Sequence, residues 1–570
     1  MSLPRNMSIQ AINIASIGSY GLTALGNQIL LAVTTNRGTH YNIVMRFRRY
    51  FSSTFKRLID CNSCGVKLQN KQPGALGYYT KKDDNLVKKI TLEDVKYLIF
   101  GQDIQRIKEM TVDTENYDIK LEKPLICKRC SEALHNNKYN ATEFKDIPFE
   151  EVEKQIPLHS NVVHTAPILE FPFHINSQLL KNRTFNTTMV FTKADRVFKN
   201  KKQVQKQIPI FLDAFFETYL NSKATRNIVT STLNRWNLDT LFSFLHGTNY
   251  FVGEPNSGKS TLINALLRRL FGVKIRGNDV KNFELDKQAE EELAVSKKFF
   301  LEKQLAGVSH IPNLTRTLQA YKIKQKIIYD LPGYSNYNSY RIDEFIDPKW
   351  LQRFRKTSIF SEKRVKKKRY DSIVGNENGK CLTLGGIFYL VPPPTTINQI
   401  VCYIPGELRQ FHNTDRGIEV LGKSGSKEHP LNKYCGIKPG IGKEKYIRHI
   451  IPPFQGPIEV VLKDIGYFSL TPTGKYEYKG LYELWVLDGI DVCIRKPLER
   501  VAEDSYDKSQ EGKYYIKEPV VSHTYVVAHN DPNPLQTVKE TYEKVKERTD
   551  EILNKYNLEK FGNNMWHFKW

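Results

Sequence analysis

Hydrophobic and polar positions divide the chain into two regions of different period. Between residues 141 and 345, short apolar runs that read as strands alternate with helical patterns. The runs are Thr188-Met-Val-Phe-Thr192, Asn227-Ile-Val-Thr230, Tyr250-Phe-Val252 and Lys326-Ile-Ile-Tyr-Asp330. The third leads into a helix with Leu262, Leu266 and Leu270 along one side and Gly272 as its stop. From residue 381 to 530 the pattern changes to β-branched and aromatic runs: Ile387-Phe-Tyr-Leu-Val391, Ile458-Glu-Val-Val-Leu462, Tyr476-Glu-Tyr478 and Leu484-Trp-Val-Leu487. Asp488-Gly489, between apolar runs, predicts a hairpin turn. Helical charge patterning returns over 535–560, inside a tail of 531–570. The expected class is α/β, followed by a β-rich C-terminal domain.

The 570 residues are 40% hydrophobic and 11% aromatic, with 33 Gly and 26 Pro, which excludes a disordered or collagen-like chain and predicts several domains. The formal net charge is +24, and seven positive charges (Arg5, Arg37, Arg46, Arg48, Arg49, Lys56, Arg57) precede the first acidic residue, Asp60. An acid-free, Arg- and Ser-containing N-terminus has the composition of a mitochondrial targeting segment, expected over 1–58. Met45 to Arg57 reads as a presequence by itself, so Met45 is a candidate start with 1–44 as an upstream extension. Asn6 to Asn36 is uncharged and long enough to span a bilayer. Polar residues such as Gln10, Asn13, Asn27 and Gln28 interrupt it, so no transmembrane span is expected in the mature protein.

Four of the eight cysteines form matched pairs, Cys61-Asn-Ser-Cys64 and Cys127-Lys-Arg-Cys130. Each turn presents two thiolates to one side, and two such turns complete a tetrahedral S4 site suited to structural zinc. A zinc-binding module is therefore expected over 59–140. The competing readings are two unrelated turns or a redox pair.

The most specific chemistry is Gly253-Glu254-Pro255-Asn256-Ser257-Gly258-Lys259-Ser260-Thr261, a G-x4-G-K-S loop between a strand and a helix. Its amides curl round an anion, Lys259 reaches the outer phosphates, Ser260 ligates magnesium, and the helix N-terminus adds partial positive charge. Downstream, Asp330-Leu-Pro-Gly333 supplies a carboxylate to hold magnesium through water and a Gly333 amide to sense the γ-phosphate. Between them Thr315 is the candidate switch threonine on magnesium, with Thr317 competing. The guanine-reading motif lies upstream, as Thr192-Lys193-Ala194-Asp195. Asp195 can accept both the N1 and N2 protons of guanine while Lys193 packs along the base. Ser231 and Thr232 end the next strand, where a loop supporting the base edge is expected.

Chain order therefore runs guanine motif, base-supporting loop, P-loop, switch threonine, DxxG. That is the order of a circularly permuted P-loop GTPase domain, expected over 141–345. Permutation is allowed because a domain whose termini lie close can be reopened elsewhere. With these motifs in this order the chain resembles the YqeH-type circularly permuted GTPases, which join a four-cysteine zinc module, a permuted G domain and a C-terminal domain. Cys61 to Gln69, Ile126 to Ser131, Gly307 to Thr315, Asp330 to Ser335 and Gly385 to Pro392 are similar in particular to a fungal mitochondrial branch, and the likeness runs from about residue 58 to the C-terminus. The resemblance implies a mitochondrial location, in the matrix or in association with the inner membrane, and binding of GTP and GDP. It also implies links to small ribosomal subunit assembly and, through prohibitin genetics, to inner-membrane lipid metabolism.

Tyr334 follows Gly333 where Ras-like enzymes keep a water-orienting glutamine, which predicts slow intrinsic hydrolysis. Asn256 stands where potassium-activated GTPases coordinate their cation, so K⁺ is expected to assist. Thr192 replaces the commoner asparagine of the guanine motif. A basic linker, expected over 346–380, carries Lys349 to Lys356 and Lys363 to Arg369. Clustered cations with aromatic neighbours suit RNA, and the competing reading is a solvated helix face. The preferred expectation is a monomeric mitochondrial GTPase that binds and releases mitochondrial rRNA or a small-subunit precursor. The rivals are a GTP-sensing adaptor linked to prohibitins without RNA contact, and an ATP-using P-loop enzyme, which Asp195 opposes.

Overall fold

The computed structural model describes residues 17–25, 28–35, 40–45, 60–79, 125–136, 147–220, 226–270, 306–308, 313–323, 325–335, 341–356, 370–424, 430–452, 454, 456–473, 480–516, 519–538 and 540. Gly272, Tyr476 to Tyr478, the second basic run Lys363 to Arg369 and most of the tail lie outside the described residues. Within the segment read as an import address, Ile17–Leu25 (β1), Gln28–Thr35 (β2) and His40–Met45 (β3) pair antiparallel in the order β1-β2-β3. No helix among the described residues is long and apolar enough to cross a membrane.

A six-stranded sheet is built from Asn161–Pro167 (β4), Asn186–Thr192 (β5), Arg226–Val229 (β6), Thr248–Val252 (β7), Gln319–Ile323 (β8) and Lys326–Asp330 (β9). Its spatial order is β6-β5-β4-β7-β9-β8, with every pair parallel except β8 against β9. Parallel strands covered on both faces need nearly continuous apolar runs, which is what β4, β5 and β7 supply. Successive residues of a strand point to opposite faces. Phe191 accordingly joins a cluster with Phe171, Phe211 and Phe215, ring centroids 4.7 to 6.0 Å from Phe171. Val190 joins the other cluster, with Leu262, Ile263, Leu266 and Leu267 of the helix Lys259–Leu270. All five parallel strands end on one side, so the loops after Thr192, Val229, Val252 and Asp330 share one rim, the place where open α/β sheets bind ligands.

Two further six-stranded antiparallel sheets follow. One runs in spatial order Asp371–Val374, Ile397–Cys402, Gly466–Thr473, Ile458–Leu462, Val492–Arg495, Val521–His523. The other runs Leu408–Phe411, Cys381–Leu384, Phe388–Val391, Tyr482–Leu487, Tyr446–Ile451, Tyr525–Val527. The strands flanking Asp488-Gly489 do not pair with each other, so the hairpin expected there is corrected to a crossover from one sheet to the other. The turn chemistry holds, with Gly489 at φ 89, but both strands are largely buried and each finds its partners elsewhere. A tight hairpin lies instead at Lys463-Asp464-Ile465, where Leu462 faces Gly466 and Asp464 takes φ 63, a conformation its short polar side chain tolerates.

The stretch expected as a basic linker opens with a helix, Pro348–Lys356. Trp350, Leu351 and Phe354 are buried in the core of the C-terminal sheets, while Lys349 and Arg353 are exposed. The aromatic side chains that suited base stacking are thus core residues, and only cations of this helix face water. The nucleotide-type sheet and the C-terminal sheets also share a core: Val461, Tyr467 and Cys493 join the Phe171 cluster. Arg495, fully buried, donates to Glu459 at 2.7 Å, to Phe171 O at 2.7 Å and to Leu169 O at 3.0 Å. Truncating it would strand a buried carboxylate, at a cost of about 3–5 kcal/mol.

Candidate functional site

β7 delivers the G-x4-G-K-S loop to the rim. A Cβ on Gly253 would stand 2.3 Å from Thr165 Oγ1 and 2.5 Å from Thr165 O, so only glycine lets the loop lie against β4. Thr165 Oγ1 donates to Val252 O at 3.1 Å and lies 3.1 Å from Ser257 Oγ. Asn256 at φ 61 and Gly258 at φ 90 complete the curl; Glu254 and Pro255 are half-buried, and Thr261 is exposed. Lys259 is buried, donates to Leu331 O and lies 3.4 Å from Asp330 Oδ1. Ser260 Oγ donates to Asp330 Oδ2 at 2.8 Å. Asp330 Oδ1 is itself buried and makes no hydrogen bond, its counter-charge being the Lys259 ammonium. A Cβ on Gly333 would lie 3.2 Å from Pro255 N, so the DxxG loop rests against the P-loop. Tyr334 turns away into a core, edge-on to Phe149 at 4.9 Å.

Thr192, at the end of β5, donates through its hydroxyl to Ser257 O, which joins the guanine-type motif to the P-loop. Lys193 follows in the left-handed region at φ 58, and Ala194 N donates to Thr230 O at 3.1 Å. Burial pushes the Lys193 ammonium below its ordinary range. Asp195 Oδ1 accepts from Ser231 Oγ at 2.6 Å, both residues buried, and Thr232 lies half-buried beside them. Trp236 N closes this loop by donating to Ser231 O at 3.0 Å. The rim therefore brings together an amide-lined loop, a lysine, two oxygens suited to a hard cation, and an oriented carboxylate.

The sulfurs of Cys61, Cys64, Cys127 and Cys130 all lie within 4.8 Å of one another in residues at most 1% exposed. Cys64 Sγ and Cys127 Sγ are 3.9 Å apart, far beyond a disulfide bond and close to the edge of about 3.8 Å of a tetrahedron with zinc–sulfur bonds of about 2.3 Å. Cys127 N donates to Cys61 Sγ at 3.3 Å. Donor type and spacing fit a tetrahedral metal ion. This cluster packs on Leu314, and Arg316 N donates to Cys64 O at 3.1 Å. Thr315 is buried between these two residues. Thr317 is exposed and lies under Gly65, where a Cβ would come within 2.2 Å of its hydroxyl.

Two features of the site escape a reading of the sequence. Thr165 braces the P-loop from a strand with no motif of its own. Behind Glu254 stands an ion cluster of the buried His174 and Glu170 and the partly buried Lys463. Its only trace in the sequence is the four-residue spacing of Glu170 and His174, which is common on any helix, and Lys463 belongs to a distant hairpin.

Comparison with known proteins adds the family. Residues 60–144 match the family described as genetic interactor of prohibitins 3 N-terminal domain, and residues 368–562 match its C-terminal domain. Residues 248–282 match a family described as 50S ribosome-binding GTPase. A structure of GNP-bound YlqF from T. maritima is 16% identical over 34% of this chain and 61% of its own, with a TM-score of 0.19, too slight a likeness to carry weight. Relatives named genetic interactor of prohibitins 3, mitochondrial, are far more similar. The protein from Vanderwaltozyma polyspora is 43% identical over 93% of this chain and 98% of its own length. That from Saccharomyces cerevisiae is 42% identical over 92% and 99%. Identity at this level over nearly the whole length of both proteins means that the chain belongs to the genetic interactor of prohibitins 3 family, with a GTPase-like P-loop domain at its centre.

Proposed function

We propose that the protein is a mitochondrial, circularly permuted GTPase whose nucleotide cycle governs its hold on ribosomal RNA or a ribosomal precursor. One observation carries the nucleotide part. The Asp195–Ser231 pair and the Ser260–Asp330 pair stand at the carboxyl ends of one parallel sheet, on either side of the P-loop in space, although both flanks are reached in an unusual chain order. In this reading Lys259 and the amides of Gly253 to Ser260, Pro255 excepted, hold the phosphates. Ser260 and Thr315 ligate magnesium, Asp330 holds it through water, and the Gly333 amide reads the γ-phosphate. Bound magnesium would neutralise charge between the outer phosphates. Asp195, oriented by Ser231, accepts from guanine N1 and N2, and Lys193 and Thr232 flank the base. Hydrolysis is slow, because Tyr334 is locked in a core and orients no water. The four cysteines hold zinc as a structural ion.

The ribosomal partner rests on the +17 that remains of the +24 once the seven charges of the targeting segment are set aside, and on the description of the family that matches the P-loop segment. With Trp350 and Phe354 buried, Lys349 and Arg353 contact RNA through phosphates, and binding is correspondingly salt-dependent. The relatives' name favours a second reading, a nucleotide-sensing adaptor on the prohibitin side without RNA. Two measurements separate them. Purified protein should bind GDP and GTP well and ATP weakly. Crosslinking of tagged protein in mitochondria should recover ribosomal RNA; recovery of none, with guanine binding intact, leaves the adaptor.

A further inference from the structure

The hairpin Ile458–Leu462 to Gly466–Thr473 points its turn at the back of the P-loop. Lys463 Nζ lies 3.2 Å from Glu254 Oε2. The same oxygen is 2.8 Å from His174 Nδ1, and the other ring nitrogen of His174 is 2.7 Å from Glu170 Oε2. Glu170 Oε2 in turn accepts from the backbone N–H of Asp464 at 2.9 Å. The chain of contacts leaves the turn at Lys463, passes through the P-loop and the segment after β4, and returns to the turn one residue on. We propose that Lys463, supplied by the C-terminal domain, is a positioning residue of the nucleotide site that sets the P-loop through Glu254.

The proposal rests on the nucleotide reading above. Its physical basis is the place of Glu254 between two residues with no freedom. Gly253 is walled in by Thr165, and Pro255 has a fixed φ and lies against Gly333. Moving the Glu254 carboxylate therefore moves the loop whose amides face the phosphates. The ion cluster is partly or wholly shielded, with side chains of Lys463, Glu254, His174 and Glu170 exposed by 15%, 20%, 1% and 6%. Burial by itself would discharge His174, yet Glu254 and Glu170 raise it to about 10, so it is a cation held between two carboxylates. Removing one member of such a set leaves the others charged and uncompensated. Because coupling is reciprocal, whatever shifts the hairpin changes nucleotide affinity, and bound nucleotide changes the hold on the hairpin.

The experiment uses the full chain with fluorescent GDP and GTP. Lys463→Ala should weaken binding of both by roughly 5- to 50-fold, within the usual range of such coupling, and Lys463→Arg should restore most of it. Glu254→Gln should weaken binding similarly, and adding Lys463→Ala to it should cost little more. Should Lys463→Ala fold poorly, Lys463→Gln, which keeps the stem and loses the charge, takes its place in the same comparison. Equal affinity in the neutral variant and wild type overturns the proposal and leaves the nucleotide reading intact. Strictly additive losses, or no recovery with arginine, assign Lys463 to packing alone and also overturn it. Wild type that binds no guanine nucleotide brings down the nucleotide reading and this proposal together.

Discussion

The amide of Arg316 donates to the carbonyl of Cys64 at 3.1 Å, so the segment carrying Thr315 and the first cysteine loop share a backbone hydrogen bond. Leu314, one residue before Thr315, is part of the cysteine core, and Gly65 lies directly over Thr317. A metal that fixes the cysteine loop thus fixes the candidate switch segment. Stripping metal with a chelator, or Cys64→Ser, is expected to raise amide exchange at Arg316 up to about tenfold. That is the worth of one hydrogen bond of about 0.5–1.5 kcal/mol. If Thr315 is the switch threonine of the proposed reading and serves only the γ-phosphate side, GTP affinity should fall more than GDP affinity. Unchanged exchange at Arg316 in metal-free protein would show that the segment holds its shape without the cysteines.

Base recognition gives a second test. Ser231 Oγ donates to Asp195 Oδ1 at 2.6 Å, a short bond to a charged acceptor of the kind that contributes about 1.5–3 kcal/mol. Ser231→Ala should therefore weaken GDP roughly tenfold or more and leave ATP binding as weak as before. Asp195→Asn replaces an acceptor by a donor where guanine presents N1–H, and preference should move to xanthosine nucleotides. Calorimetric titration with GDP and XDP reads both variants. An Asp195→Asn protein that still prefers GDP would remove Asp195 from base recognition.

Three buried histidines contribute to the pH response, beside His523, which burial also pushes down. His164 Nδ1 lies 3.4 Å from Val252 O, while its Nε2 accepts from Asn176 N at 3.0 Å. Burial pushes His164 and His449 down to about 4. Below about 6.5 the unfolded chain takes up protons that these two refuse in the fold, so stability falls as pH falls from 6.5 to 4, by at most about 3 kcal/mol each. His174 behaves oppositely: with its folded value raised to about 10, its contribution is complete below about 6.5 and is lost as pH rises through 10. The melting temperature should peak near neutrality and decline on both sides. His449→Gln, which keeps a partner for Thr524, should flatten the acid limb. An acid limb as steep as in wild type would exclude His449 as its source.

Much of the site was legible because its chemistry is local. The P-loop, Asp330 and the Thr192 to Asp195 turn each fill a few consecutive residues at a strand end, where glycine and carboxylate positions match what an anion or a base would require. The cysteine pairs were legible for the same reason. What escaped depends on pairing between distant segments. Asp488-Gly489 has hairpin chemistry, but the strands on either side of it pair with partners elsewhere along the chain, in different sheets. Trp350 and Phe354 were read with the cations around them, and a helix can present both kinds of residue on separate faces. Lys463 carries no local mark, because its meaning comes only from Glu254, which the fold brings to it.

Hydrolysis itself provides the last test. Tyr334 stands where other switch enzymes keep a glutamine, and it packs edge-on to Phe149 at 4.9 Å, with burial pushing its hydroxyl well above the ordinary phenol range. In the proposed hydrolysis a side chain so placed neither orients water nor serves as a base, and transition-state charge would have to be met from elsewhere. Asn256 projects from the P-loop at φ 61, half-buried and next to the Ser257 that Thr192 and Thr165 brace. A monovalent cation held by Asn256 would supply the positive charge that an arginine finger supplies in other GTPases. GTP turnover in K⁺ should exceed that in Na⁺ by roughly tenfold or more, a modest share of the 10³–10⁵ credited to an arginine finger. Asn256→Ala should abolish the difference between the two salts while GDP affinity stays within about threefold, because the side chain acts on the transition state more than on the bound nucleotide. Equal rates in K⁺ and Na⁺ for the wild-type protein would end this account of catalysis.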